Sequence, residues 1–346
     1  MKRYLLLILV ALIFSSCKEE YQPRNLENIT IQEFKMDSTS IRSIEAISNN
    51  EMLFAGSRGD IGTTTDGGKT WDIQYLKYQD SITPHFRSTA KTKNAVFALS
   101  VANPALLFKI ANGEKKIVYK EKHEKVFYDS MKFFDSQNGI AVGDPTENCA
   151  SIILTSDGGN TWAKIPCHKL PVFEQEEAFF AASNTNLKVL NNTVWIASGG
   201  KKARVLKSID KGQTWEIYDT PIIQGNGPQG IYSIDFADEN NGIIIGGNYS
   251  KPTENKANKA VTTDGGKTWT LVADGQNPSY KSCVQYVPKT NGKEIFAVGK
   301  TGVSFSNDGG NTWKEISKDS YYTIQFVDRN TAWLSGHQKL GKLVLK

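Results

Sequence analysis

Three arginines and a small set of carboxylates are the residues of this chain best suited to chemistry. Six arginines remain against 33 lysines once a leader, described below, is set aside. Three of the six are Arg58, Arg87 and Arg204, in the breaks Arg58-Gly59-Asp60, His85-Phe86-Arg87 and Gly199-Gly200-Lys201-Lys202-Ala203-Arg204. A guanidinium captures a carboxylate with two parallel donors, which an ammonium cannot do. Asp144, Glu177, Lys202, Tyr232, Tyr249 and Lys251 stand in similar glycine-rich or polar segments between apolar runs. Three readings follow. The charges pair with one another; or the cationic groups hold an acidic segment of a partner; or two carboxylates about 5–10 Å apart cleave a glycosidic bond.

Other chemistries lack residues. There are four histidines in all, no Cys-x-x-Cys, and no glycine-rich turn of the dinucleotide type, so neither a metal nor a redox cofactor is expected. The formal charge of +5 includes Lys2 and Arg3 of the leader. The remaining surplus is too small and too dispersed for nucleic acid, which calls for a concentrated basic face.

The elements that would position these residues are announced by an eight-residue phrase written five times. It runs Thr64–Trp71, Thr155–Trp162, Ser208–Trp215, Thr262–Trp269 and Ser306–Trp313, with the pattern [Ser/Thr]-x-Asp-x-Gly-x-Thr-Trp. This Asp box suits a tight turn between antiparallel strands. The carboxylates Asp66, Asp157, Asp210, Asp264 and Asp308 can accept backbone N–H bonds and close the turn. The glycine two places on tolerates a positive φ. Trp71, Trp162, Trp215, Trp269 and Trp313 offer large surfaces to bury between blades. One carboxylate per box is too few for a calcium loop, so the aspartates are read as structural.

The box aspartates are 91, 53, 54 and 44 residues apart. The double-length gap predicts a blade without a box, from Ser88–Ala90, Val96–Leu99 and Leu106–Ile110. After the last box, 322–327, 331–335 and 342–345 supply three strands, and 29–34 supplies a fourth. The expectation is an all-β, seven-bladed β-propeller, closed by an N-terminal strand that completes the C-terminal blade. Residues 28–346 form its single domain. No sustained apolar period near 3.6 predicts a long helix.

Lys2 and Arg3, the apolar run Leu5–Phe14 and Ser15-Ser16-Cys17 resemble a bacterial lipoprotein signal. That predicts a signal peptide over 1–16, lipid on Cys17, and a tether over 17–27. Membrane contact would be through this anchor only. Lys18-Glu19-Glu20 resembles the tag that sends lipoproteins to the outer surface, so the expected location is the outer membrane of the cell envelope. Cys149 and Cys167 flank the second box, and a register with Thr155 facing Thr161 sets them opposite each other. Export permits a disulfide there. Cys283 is expected to be a buried small hydrophobe.

Two families resemble the chain. Sialidases share the boxes. Their site would map onto Arg58, Arg87 and Arg204 as the arginine triad and onto Tyr232 with Glu177 as the nucleophile pair. The Arg-Ile-Pro signature before the first box is absent. The second resemblance spans nearly the whole mature chain. Phe134-Asp-Ser-Gln-Asn-Gly-Ile-Ala-Val-Gly-Asp144 and Phe236-Ala-Asp-Glu-Asn-Asn-Gly-Ile-Ile-Ile-Gly-Gly247 resemble the repeats of the photosystem II stability/assembly-factor propellers. Glu177–Ser183, Lys202–Val205 and Gly247–Pro252 are similar to a non-photosynthetic bacterial branch that often carries an oxidoreductase label. The resemblance implies a monomeric scaffold that binds an envelope protein through an arginine-bearing face. A glycan ligand or a sialidase-like hydrolase is the alternative.

Overall fold

A computed structural model describes residues 21–345; the leader and Cys17 lie outside the described residues. Apart from one 3-10 turn at Cys167–Lys169, every regular element is a strand. Each Asp box closes its turn in the same way. In the first, one Asp66 oxygen accepts from the Thr64 hydroxyl (2.9 Å) and the Thr70 N–H (3.0 Å), and the other from the Thr70 hydroxyl (2.6 Å). The Thr64 hydroxyl in turn accepts from the Gly68 N–H at 2.9 Å. Gly68 needs its φ of +89°, where a Cβ would also strike the Phe34 ring. The box tryptophans turn inward. The indoles of Trp215, Trp269 and Trp313 donate to the carbonyls of Gly212, Gly266 and Gly310, and Trp71 packs on Phe34, Phe54 and Trp333.

The strands form six blades, correcting the expected seven. The reason is the continuity of one strand. Ile31–Ala46 pairs with Thr331–Val344 through residues 31–35 and with Met52–Gly56 through residues 41–46. Segments assigned to separate first and last blades therefore share one six-stranded sheet. The ring does close through the N-terminal strand, with Ile31 opposite Leu343 and Phe34 opposite Leu340. The box-less blade in the long gap is present, as Phe86–Lys91, Val96–Ser100, Ala105–Ala111 and Glu114–Glu121.

A Cys149–Cys167 disulfide ties down the second box hairpin. The register is one residue off the expected one. Leu154 faces Ala163, the returning strand stops at Lys164, and Cys149 bridges to Val172 while Cys167 lies in the 3-10 turn. Cys283 is fully buried.

The central channel is crossed by residues 179–186, which touch every one of the six sheets. Phe179 N–H donates to Asp144. The carbonyls of Ala181 and Ala182 accept from Arg87 and Arg42. Asn184 bonds Met131 N–H and Thr89 C=O, and Ser183 donates to Ser282 C=O. Thr185 meets Ser233, and Asn186 C=O accepts from Ala197. The segment thus lies between the two ends of the channel, the Asp-box face and the opposite loop face.

The boxes carry a pH signature. Hydroxyl and backbone bonds from Thr70 hold Asp66 down to about 2, from 3.8. In the other four boxes partial burial opposes such bonds and is outweighed by them. A depressed folded pKa gives stability that is present above the unfolded value and lost as pH falls through the folded one. Thermal melts should therefore lose stability steeply between pH 4 and 2, in the range of these carboxylates. Asp157→Ala, which strips the bonds within one box, should cost about 1–3 kcal/mol at neutral pH, read from denaturant midpoints.

Candidate functional site on the loop face

Four blades carry a β-bulge at the same place in their innermost strand. The register skips Arg42 between Ile41 and Ser43, Arg87 between Phe86 and Ser88, Asp129 between Tyr128 and Ser130, and Tyr232 between Ile231 and Ser233. A bulge inserts one residue and re-aims its side chain. Here the bulge residues gather around residues 179–182 at the mouth of the channel. Arg42 Nη1 donates to Ala182 C=O and Arg87 Nη1 to Ala181 C=O, both at 3.1 Å. Tyr232 stacks on Phe180 with centroids 4.1 Å apart.

Aromatic rings surround the two guanidiniums. Arg42 lies 4.0 Å above the Tyr322 ring and Arg87 5.7 Å from Phe127. Tyr280 meets Tyr232 edge-on at 4.8 Å and Tyr249 at 5.8 Å. Tyr249 is 47% exposed, with the Lys300 ammonium 4.4 Å from its ring. Each guanidinium therefore has an apolar body beneath it and donors to spare.

The electrostatics are those of an unneutralised cationic site. Among the described residues neither Arg42 nor Arg87 lies within salt-bridge distance of a carboxylate. Arg87 Nε is buried without a hydrogen-bond partner. Burial, then the neighbouring Arg42, lowers Arg87 to about 10. Burial, then Arg87 and Arg42, lowers His85 to about 4. The nearest counter-charge is sunk beneath the mouth. Asp129 is fully buried, and desolvation together with Asp144 pushes its pKa well up. Desolvation raises Asp144 to about 6. Asp129 therefore favours the proton and does not neutralise the arginines, while Asp144, which ionises below neutral pH, is engaged by the Phe179 N–H.

The sequence-derived residues divide into groups. Arg87, Asp144, Tyr232 and Tyr249 are brought together at the mouth. Arg204 is not: it is clamped on the buried Glu177 (Nε to Oε1 3.0 Å), donates to Val172 C=O, and lies over Phe173. Glu177 also accepts from the Ser198 hydroxyl, so this pair anchors the start of the channel-crossing segment. Arg58 is exposed, and its backbone N–H donates to Asp60. Lys251 pairs with Glu254 in the exposed loop, and Lys202 is half-buried beside Arg204 in sequence. Arg42, Phe180, Tyr280 and Tyr322 were missed. For Arg42 and Tyr322 the signal was the dipeptide at the head of an inner strand, Arg42-Ser43 and Tyr322-Thr323, shared with Arg87-Ser88, Asp129-Ser130 and Tyr232-Ser233; Phe180 and Tyr280 lie outside it.

Comparison with known proteins agrees with the fold. Residues 260–271 match the BNR/Asp-box repeat. No curated protein matches the sequence. In fold the chain is similar to YCF48. A solved structure of YCF48 bound to a D1 peptide has a TM-score of 0.67 at 15% identity, covering 94% of this chain and 100% of that one. YCF48 from Cyanidioschyzon merolae has 0.64 at 14%, covering 91% and 98%. The WD40 repeats of RRP9 have 0.63 at 11%, covering 94% and 100%. At such identities the likeness is one of fold.

The two arginine environments predict opposite mutant behaviour. Arg204→Ala leaves the Glu177 carboxylate buried and unpaired, and should cost about 3–5 kcal/mol in chemical denaturation. Arg87→Gln should cost far less and should raise the His85 pKa from about 4, as followed by NMR. A His whose folded pKa lies below its unfolded value loses stability as pH falls through that interval. The wild type should therefore lose more stability than Arg87→Gln between pH 6.5 and 4.

Proposed function

We propose that this propeller is a binding scaffold that holds an acidic segment of a protein partner on its loop face. Arg42 and Arg87 would take the carboxylate, and Tyr249 and Tyr322 would pack against the flanking chain, with the buried Tyr280 supporting Tyr249 from beneath. The observation that carries the reading is the pair of bulge-mounted guanidiniums, stacked on aromatic rings and without a carboxylate partner. Two like charges held close together favour an anion between them. The peptide bound to the similarly folded YCF48 is consistent with a peptide-sized ligand. A glycosidase reading finds less support, because Asp129 is fully buried and Asp144 is committed to Phe179 N–H.

The proposal extends to placement in the cell envelope through lipid on Cys17. Residues next to that cysteine bear on orientation. Arg24 is clamped on Glu294, which Tyr21 also bonds, and Asn307 of the last box donates to Arg24 C=O. An anchor at Cys17 would then hold the Asp-box face toward the membrane and leave the loop face open to a partner.

Crosslinking and affinity capture from native membranes tests this. The wild type should retain a partner that Arg42→Glu/Arg87→Glu loses, because a like charge replaces each donor at a cost of about 2–5 kcal/mol. A melting temperature near wild type would confirm an intact fold. Equal capture by both proteins would overturn the proposal.

A further inference from the structure

The Asp-box end of the channel holds a second cavity, separate from the loop-face mouth. Its volume is about 240 Å³, and Thr185 and Leu187 close its inner end. That is below the range of drug-sized pockets and amounts to room for about eight waters. Its wall is a ring of polar side chains: Glu45 and Gln325 from two strands of the closing six-stranded sheet, and Lys132, Lys188, Asp235 and Gln285 from one strand in each of four other sheets.

The charges of this ring cancel in pairs. Lys132 bonds Glu45 at 3.0 Å and Lys188 bonds Asp235 at 2.6 Å. Asp235 is further held by Tyr286 N–H at 2.7 Å. The two glutamines are oriented by the backbone. Gln285 Oε1 accepts from Phe326 N–H at 2.7 Å, and Gln325 Oε1 from Ala46 N–H at 2.9 Å. A backbone N–H can be met only by the amide oxygen, so each NH2 group must lie on the other side. Both NH2 groups, and the remaining protons of both lysines, are without partners among the described residues.

This arrangement selects a ligand class. A free anion in the cavity would lie close to Glu45 and Asp235, and a free cation close to two lysines. A hydroxyl both donates and accepts, and so suits alternating ammonium, amide and carboxylate groups. We propose that the box-face cavity binds one small neutral polyhydroxylated molecule, a single sugar or a polyol, independently of the loop-face partner.

Calorimetric titration of the purified protein tests it. The neutral probes are glucose, galactose and myo-inositol; succinate, inorganic phosphate and putrescine are the charged controls. At least one neutral probe should bind saturably and the controls should not. Gln285→Glu/Gln325→Glu keeps the oxygens that bond Phe326 and Ala46 but removes both NH2 donors. It should weaken binding about tenfold or more, and the denaturation midpoint read alongside separates this loss from any destabilisation by the new charges near Glu45 and Asp235. Chemical-shift mapping on the wild type requires no variant and should place the perturbed amides around Lys188, Gln285 and Gln325. Binding by the charged controls alone, by no probe, or with shifts at Arg87 and Tyr249 instead would overturn the proposal. Because the loop-face variants leave this cavity untouched, failure here and failure of the loop-face reading are separable.

Discussion

A propeller brings the heads of its innermost strands to one axis, where polar backbone and small side chains would otherwise be left facing a channel. Buried N–H and C=O groups need partners, and here residues 179–186 supply them. Asn184 alone bonds backbone groups of two blades, and Ser183, Thr185 and Asn186 reach three more. Everything functional is arranged around this crossing. It gives Arg42 and Arg87 carbonyls to rest on, it engages Asp144 through Phe179 N–H, and it lies between the loop-face mouth and the box-face cavity that Thr185 lines. The Glu177–Arg204 pair holds its first end, and the strand Leu187–Leu190 continues from its second.

The bulges explain how a repeated fold acquires a site that is not repeated. Equivalent positions carry Arg42, Arg87, Asp129 and Tyr232, so one backbone device presents three chemistries from four strands. The residue that follows each is serine, small enough for the crowded axis; Ser43 reaches the Thr89 hydroxyl and Ser233 that of Thr185. Cations are thereby mounted on strands rather than on loose loops, which suits a preorganised binding face. The aromatic rings under the guanidiniums add attraction without neutralising them.

Much of the fold was legible because turn chemistry is local. Asp66 and Gly68 must behave as they do wherever the phrase occurs, and so must the four other boxes. The closure of the ring was legible too, because three strands after Trp313 demanded a fourth. The blade count was not. Nothing in residues 31–46 marks whether the chain breaks between its two partners, and it runs on as one strand. The site was half legible. Arg87 stood out as a rare residue near a break, whereas Arg42 lies within the continuous strand Ile31–Ala46, and the small hydroxyl residue after it is too common to mark a bulge by itself. Arg204 looked equivalent to Arg87 by type, but its partner Glu177, 27 residues away, turns it into a structural clamp. Loop length and local composition do not encode that pairing.

The most direct test is which face meets the partner. A photoreactive amino acid placed at Tyr249 on the loop face, or at the exposed Lys69 of the first Asp box, would report this in intact cells. Crosslinks to a protein partner from position 249 and none from position 69 are expected. Crosslinks from position 69 alone would contradict a loop-face binding site and assign recognition to the boxes.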